Sequence, residues 1–521
     1  MSQLNSFGKA REALREWPLT PADSPQAGIL LARPPADLLR AVAASLHADG
    51  WRLGIVVASE THDALDLRYC FYAGDGSGWL HLLVCVDRAA REVPSLTPVY
   101  ICADRHEREI EDLFSIAFTD HPRLGDFVFH DDKWAEGIGL MRPQSPERVA
   151  QTNRQWKPHR VLHEEGAFVM PLGPVFSGRA ESALFLLETV GEDVVRAVPR
   201  LFYKYRAIEK LAEGRSVDDV LLLVERCNGT SAFGNGWGYC NAVEAALGIQ
   251  VPLRALALRT LLAELERIRH HAGAIREICE STALTVAENQ AAALEEDLLR
   301  LTARLVGHRY LYGALAVGGL ARDVEPEAIQ RMLSELGEIL RRLARLRAVL
   351  EKTGSFLDRL ESIGIISREK TRTFELLGPM ARASGVGCDL RTLQPYGYYA
   401  QIEFSVPVES EGDGFARLRV LFREIEQSAC ILRQLSNPPA GPVRAAINGR
   451  GGGALGWTEA PRGASLHWVE LAADRRVLRY HFVPASFRNW HGFHIATEDF
   501  AFQDFPIILA TLGLSVAEND R

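Results

Sequence analysis

The stretch from Pro252 to Cys279, PLRALALRTLLAELERIRHHAGAIREIC, reads as one long helix. A proline opens it, where a missing N–H costs nothing. Leu258, Leu261, Leu262, Leu265 and Ile268 recur every three or four residues and make one apolar stripe. Glu264, Arg267 and His271 fall at i, i+3 and i+7, on a shared face beside that stripe. Two readings of this polar face stay open: a solvated charged surface, or a buried polar network lining a cavity.

Working outward, helical periodicity starts near residue 207 and continues past this helix. A second helix is expected over Val286–Val306. A third runs from Pro326, with Ile329, Leu333, Leu336, Leu340, Leu343, Leu346 and Leu350 as its apolar face. Gly354 is expected to cap its C-terminal end. That stripe lasts under four heptads, which favours a bundle core over a coiled coil. Beyond it, residues 398–500 mix short strand-like and helical segments.

Toward the N-terminus the pattern changes. Ala36–Leu46 reads as a short amphipathic helix. Arg52–Ala58, Leu65–Tyr72, Trp79–Val86 and Val99–Ala103 are apolar runs of strand length, and Gly-Asp-Gly-Ser-Gly at 74–78 marks a turn. A helix follows from about Arg105, and Phe168–Leu187 reads as a short β-region. The polar, proline-bearing segment 142–165 separates the two patterns. The expected organisation is an α/β unit over 1–145, a linker over 146–165 and a mainly helical unit with small β-regions over 166–521, an α+β chain.

The 521 residues suffice for a large core. With 47% hydrophobic and 24% charged residues, the composition is ordinary for a globular protein. A net charge of −8 without a basic run argues against nucleic-acid binding. No apolar stretch reaches the roughly 20 residues needed to span a bilayer, and Met1–Pro18 lacks the apolar core of a signal peptide. A soluble, cytoplasmic protein is expected. The eight cysteines (Cys70, Cys85, Cys102, Cys227, Cys240, Cys279, Cys388 and Cys430) include no Cys-x-x-Cys pair, which fits a reducing compartment.

Common catalytic motifs fail on context. Gly451–Gly456 is formally GxGxxG, but prolines precede it and Pro461 stands where the helix of a dinucleotide site should run. A tight glycine turn near other backbone is the better reading. No GxSxG elbow exists. His270 and His271 are adjacent and expected on different helix faces, while His491 and His494 lack cysteine or carboxylate companions at zinc spacing.

Several ordered segments together carry a resemblance. Glu107–Leu124 resembles the signature of the 30-kDa-type subunit of complex I. Leu201–Glu213, Asn241–Glu244 with Gly248–Pro252, Glu264–His271, Gly378–Gly385 with Asp389, Arg391 and Pro395-Tyr396, Glu459–Gly463 and Asp504–Ile508 resemble its 49-kDa-type partner. They resemble even more the large subunit of membrane-bound, energy-converting nickel–iron hydrogenases of the formate hydrogenlyase type. Order and spacing hold across nearly the whole chain.

In those hydrogenases two Cys-x-x-Cys pairs hold nickel and iron, because soft thiolates suit these metals. The corresponding positions here are Asn228, Ser231, Ser515 and Glu518, so all four thiolates are absent. The resemblance therefore implies a chain that cannot hold the nickel–iron centre and binds no cofactor itself. A [4Fe-4S] cluster is expected in a partner subunit.

For quinone chemistry, complex I uses a Gly-Pro-x-His turn and a loop tyrosine. Here the turn is Gly173-Pro-Val-Phe176, the loop Asn228–Ser231 has no tyrosine, and a later histidine corresponds to Trp237. Phe176 and Gly229 offer no side-chain hydrogen bond. Tyr205 takes a place where complex I has histidine, and it, Tyr203 and Tyr239 are the candidate phenols, so a quinone remains possible.

Arg206, Glu209, Glu264, His271, Arg382, Asp389 and Arg391 match family positions that line the cavity or face the iron–sulfur subunit; together with Tyr205 they are the cavity candidates. The implied partners are an iron–sulfur small subunit and antiporter-like membrane subunits, with the chain peripheral to the inner face of the membrane. The readings are a docking and coupling subunit, a quinone-reducing subunit with a non-standard pocket, or a non-catalytic scaffold.

Overall fold

The computed structural model describes residues 11–521 apart from 18, 20–21, 25, 135–138, 144–151, 153–165 and 176–180. The expected linker over 146–165 and Phe176 thus lie outside the described residues, save for Thr152.

The N-terminal strands form a five-stranded sheet in the order Ala22–Asp23, Ile29–Ala32, Trp79–Cys85, Leu65–Ala73, Trp51–Glu60. All neighbours are antiparallel except Ile29–Ala32 against Trp79–Cys85. Successive side chains of a strand point to opposite faces, and this sheet buries both. Leu53 and Val56 join a core with Leu39, Val42 and Leu46 of the Leu39–Ala48 helix. Ile55, Val57 and Trp79 instead join a core with Leu455, Leu466 and Trp468 of the C-terminal unit. The near-continuous apolar runs of these strands follow from that double burial.

Two local expectations change. Val99–Ala103 is no strand: its backbone bonds are local, Tyr100 N–H to Leu96 O and Ala103 N–H to Tyr100 O, and the Ala103–Phe114 helix starts there. Burial of Tyr100, whose hydroxyl donates to Trp51 O at 3.0 Å, explains the apolar residue without a sheet partner. Gly354 is not a cap. The Pro326–Leu350 helix ends in ordinary right-handed turns through Glu351, and Gly354 begins the short Gly354–Leu357 helix.

The long helices Ala232–Leu247, Leu253–Ser281, Thr285–Val306, Pro326–Leu350 and Gly414–Gln434 enclose the largest core, which includes Leu258, Leu261, Leu262, Leu265 and Ile268. Beside them lie the meander Gly453–Ala460, Gly463–Leu471, Val477–Val483 and a four-stranded sheet of Glu498–Ala501, Asp193–Arg200, Leu184–Val190 and Ala167–Leu172. The glycine motif enters the meander as a strand rather than a turn. Its small residues do permit a close approach: a Cβ on Gly456 would stand 2.2 Å from Gly238 O of the Ala232–Leu247 helix.

Candidate functional site

The four positions that the resemblance sets against metal thiolates, Asn228, Ser231, Ser515 and Glu518, meet in space. Asn228 caps the short Gly229–Ser231 turn, accepting from Thr230 N–H at 2.8 Å. Its amide donates to Ser515 Oγ at 2.8 Å. Ser515 caps the Val516–Asn519 helix and donates to Glu181 Oε1 at 3.1 Å. Glu518 Oε2 accepts from Ser486 at 2.7 Å. The Arg462 guanidinium lies among them. It donates to Thr230 Oγ1 at 2.8 Å, Ser231 Oγ at 3.0 Å and Gly513 O at 2.8 Å, with Glu518 at 3.7 Å.

This set does not fit a nickel–iron centre. An amide, two hydroxyls and one carboxylate are hard donors, Asn228 and Ser515 are bonded to each other, Ser231 is bonded by Arg462 and Glu518 by Ser486, and so a fixed cation already stands among them. Among the described residues no group of three or more His, Cys, Asp or Glu is placed to hold a metal. The thiol nearest in sequence, Cys227, lies 3.7 Å from Arg206 Nη2, and burial pushes its pKa up to about 12, so it stays protonated.

The polar face of the long helix is a buried network, the second of the two readings. Glu264, Arg267 and His271 are each at most 1% exposed. Arg391 bridges Glu264 at 3.0 Å and Asp389 at 2.7 Å. Arg382 reaches Asp389 at 2.8 Å, Glu424 at 2.5 Å and also Glu459. Arg267 bonds Glu264 at 3.3 Å and the backbone oxygen of Glu459 at 2.7 Å. Glu264 also accepts from Tyr399 at 2.6 Å and Ser428 at 2.5 Å. Against the upward push of burial, Arg391 and Arg267 hold Glu264 below the usual range, while Arg382 and His271 do the same for Glu424. Glu459 goes the other way: burial and the neighbouring Asp389 charge push it up to about 7.

One β-turn joins this network to the cluster around Arg462. Glu459 and Ala460 end one strand, Gly463 begins the next, and Pro461-Arg462 make the tip. Glu459 bonds into the network, and Arg462 bonds into the cluster of Asn228, Ser231, Ser515 and Glu518. Between the two lies an apolar cavity of about 30 Å³, lined by His270, Met380, Pro461, Arg462, Ser486 and Leu514 among others. That is room for about one or two waters.

The remaining candidates do not line this cavity. Arg206 ties loops together, donating to Cys227 O at 2.9 Å and to Ala517 O. Glu209 accepts from His481 at 2.9 Å and Arg521 at 3.2 Å. Tyr205 packs edge-on against Phe129 at 5.9 Å and does not line the cavity. Tyr239 donates to Val217 O at 2.9 Å inside the helical core, Tyr203 packs on His130, and Trp237 packs on Tyr396. The tyrosines therefore do not converge, because chain proximity does not fix side-chain direction. His270 and His271 correct the expected divergence: their Nδ1 atoms meet at 3.2 Å, because both rings are buried together. His491 is buried, with Asp104 3.9 Å away.

Sequence reasoning missed Glu181, Glu424, Glu459 and Arg462 as site residues. Glu424 and Ser428 did carry a signal, a polar i, i+4 pair inside the apolar Gly414–Gln434 helix. Glu459 and Arg462 sat in a recognised motif without an assigned role. Glu181 carried none.

Comparison with known proteins places this geometry. Residues 34–147 match the model of the respiratory-chain NADH dehydrogenase 30 Kd subunit, and residues 283–450 that of the 49 Kd subunit. Formate hydrogenlyase subunit 5 of Escherichia coli (strain K12) is 30% identical over 455 residues, 85% of this chain and 79% of the relative. Hydrogenase-4 component G of the same organism is 29% identical, covering 91% of this chain and 84% of its own length. The NADH-quinone oxidoreductase C/D protein of Bdellovibrio bacteriovorus is 30% identical over 66% of this chain and 63% of the relative. A chain in the structure of the membrane-bound sulfane sulfur reductase, an archaeal respiratory membrane complex, superposes with a TM-score of 0.64. It is 26% identical, and the match covers 69% of this chain and all of that one. Among the described residues no helix is long and apolar enough to cross a membrane. The chain belongs to the family of 30-kDa- and 49-kDa-type complex I subunits and their relatives in formate hydrogenlyase and hydrogenase-4.

Proposed function

We infer that this chain is the large subunit of a hydrogenase-related, complex-I-like membrane assembly that works without nickel–iron chemistry in this subunit. The observation that carries the reading is the cluster of Asn228, Ser231, Ser515 and Glu518 around Arg462. A site bonded to itself in this way retains the scaffold and leaves no thiolate for a soft metal. Relatives named as subunits of larger complexes, one in a respiratory membrane complex, support a peripheral role. The partners of this reading are an iron–sulfur small subunit that holds a [4Fe-4S] cluster and antiporter-like membrane subunits, on the cytoplasmic side. Tyr205 is packed away from the cavity, and about 30 Å³ is too small for a quinone ring, so electron transfer to quinone is not assigned to this pocket.

Purification of the tagged native protein tests the reading. An iron–sulfur small subunit is expected to copurify, with iron present and nickel at trace level. A chain that purifies alone, or nickel at a stoichiometric level, sinks it.

A further inference from the structure

The cavity beside Arg462 and the buried carboxylates are connected by two histidine rings. His270 lines the cavity. Its Nδ1 is 3.2 Å from Nδ1 of His271, whose Nε2 is 2.8 Å from Glu424 Oε2. Glu424 Oε1 in turn accepts from Arg382 at 2.5 Å. These contacts fix the tautomers. Glu424 is ionised beside Arg382 and can only accept, so His271 carries its proton on Nε2. The Nδ1 of His271 is then a bare acceptor, and the proton between the rings belongs to His270 Nδ1. That leaves His270 Nε2 as a lone pair with no hydrogen-bond partner among the described residues, on a ring that borders the cavity.

We propose that His270 and His271 form a proton relay between the cavity at Arg462 and the buried carboxylate cluster. In one transfer a hydronium ion in the cavity gives a proton to His270 Nε2 and is left as water. The Nδ1 proton of His270 passes to His271 Nδ1, and the Nε2 proton of His271 passes to Glu424 Oε2. One proton moves, no electrons move, and both rings end in the opposite tautomer. The reverse transfer resets them, so the pair reversibly loads one proton.

The receiving cluster suits this role. Among the described residues Glu264, Asp389, Glu424 and Glu459 face three guanidinium groups, Arg267, Arg382 and Arg391, so with all four carboxyls ionised one added proton brings the cluster to neutrality. Glu459, bonded to the same Arg382 as Glu424, is the member whose carboxyl titrates nearest neutrality. The groups facing the rings keep them uncharged at rest. Burial, Arg462 from the β-turn and Arg269 and Arg267 on the same helix hold His270 down; burial, opposed by Glu424 and aided by Arg267 and Arg382, holds His271 down. Arg417 also borders the cavity. Two neutral rings with one shared proton pass charge without either being a stable imidazolium.

This inference deepens the coupling role proposed above and rests on it, but its test does not need the assembly. Nitrogen-15 histidine NMR of the full chain is expected to show His270 as the Nδ1–H tautomer and His271 as the Nε2–H tautomer, both neutral at pH 7. The Nε2 proton of His271 is expected to exchange with water through His270, so His270→Leu abolishes the fast exchange. His270→Asn is the second variant should the first fail to fold, and it too breaks the ring path. Opposite tautomers in the wild type, a charged ring, or His271 exchange unaffected by either variant overturns the relay. Correct tautomers and exchange in a chain that never copurifies with an iron–sulfur subunit would fault the coupling role and leave the relay standing.

Discussion

At the scale of single residues, Arg462 is the side chain on which most depends. It satisfies two hydroxyls and a backbone carbonyl and offsets the buried Glu518. Removing one partner of a buried pair leaves an uncompensated charge and costs about 3–5 kcal/mol. Arg462→Met is therefore expected to lower the unfolding free energy from urea titration by that amount, with a matching fall in the midpoint, and Glu518→Gln in the same chain to recover part of it. If the single substitution leaves the midpoint unchanged, the cluster is not held by this guanidinium.

Glu266 gives a signed pH effect at the same scale. It accepts from Phe233 and Gly234 N–H at 2.8 Å each, at the start of the Ala232–Leu247 helix, yet burial pushes its pKa from 4.5 to about 7. The folded value exceeds the unfolded one. Its contribution to stability is thus complete below pH 4.5 and is lost as pH rises to about 7, a fall of about 3 kcal/mol. Glu266→Gln should flatten the stability profile in that window, as followed by denaturation at a series of pH values.

At the scale of elements, two glycines in regular structure should respond oppositely. A Cβ on Gly456 would meet backbone of the Ala232–Leu247 helix at 2.2 and 2.4 Å, and neither element can retreat without disturbing the core. Gly456→Ala is expected to destabilise by about 1–3 kcal/mol or more. Gly337, inside the Pro326–Leu350 helix, has nothing within 4 Å of such an atom. Gly337→Ala should stabilise by about 0.5–1 kcal/mol, because alanine loses less backbone freedom in a helix. Thermal melting of both variants checks the pair; similar shifts would contradict the packing described.

Elements also differ in how far they could be read in advance. The helices Leu253–Ser281, Thr285–Val306 and Pro326–Leu350 begin within one residue of their expected starts, since a long apolar stripe and an opening proline are local signals. Val99–Ala103 misled, because one buried tyrosine in a turn gives the same apolar run as a short strand. Gly354 misled because a helix can also end through right-handed turns.

At the scale of the molecule, the charged Ala103–Phe114 helix is the seam between the two units. Glu109 takes both oxygens to Arg521 at 2.9 Å, and Arg521 also reaches Glu209 at 3.2 Å. Arg105 meets Asn519 at 2.6 Å. This mostly charged helix is buried because Glu107, Arg108, Glu111 and Asp112 bond to the loops on either side of it, while Arg105 and Glu109 find partners at the other end of the chain. Glu109→Gln is expected to cost about 3–5 kcal/mol and to speed proteolysis between the units. If limited proteolysis is unchanged, the seam is held by apolar packing alone.

By itself the sequence determined the family, the α+β class, the long helices and the absence of any Cys-x-x-Cys pair. These depend on residue identity, local periodicity and spacing. It left undecided whether Glu264, Arg267 and His271 face water or the interior, since a helix face looks the same in either setting. Only the tertiary structure decided that, by bringing Arg382, Asp389, Arg391, Glu424 and Glu459 from four other segments onto that face. It also decided what stands among the lost ligand positions. Asn228 and Ser515 are 287 residues apart in the chain, and only the fold brings them within a hydrogen bond of 2.8 Å.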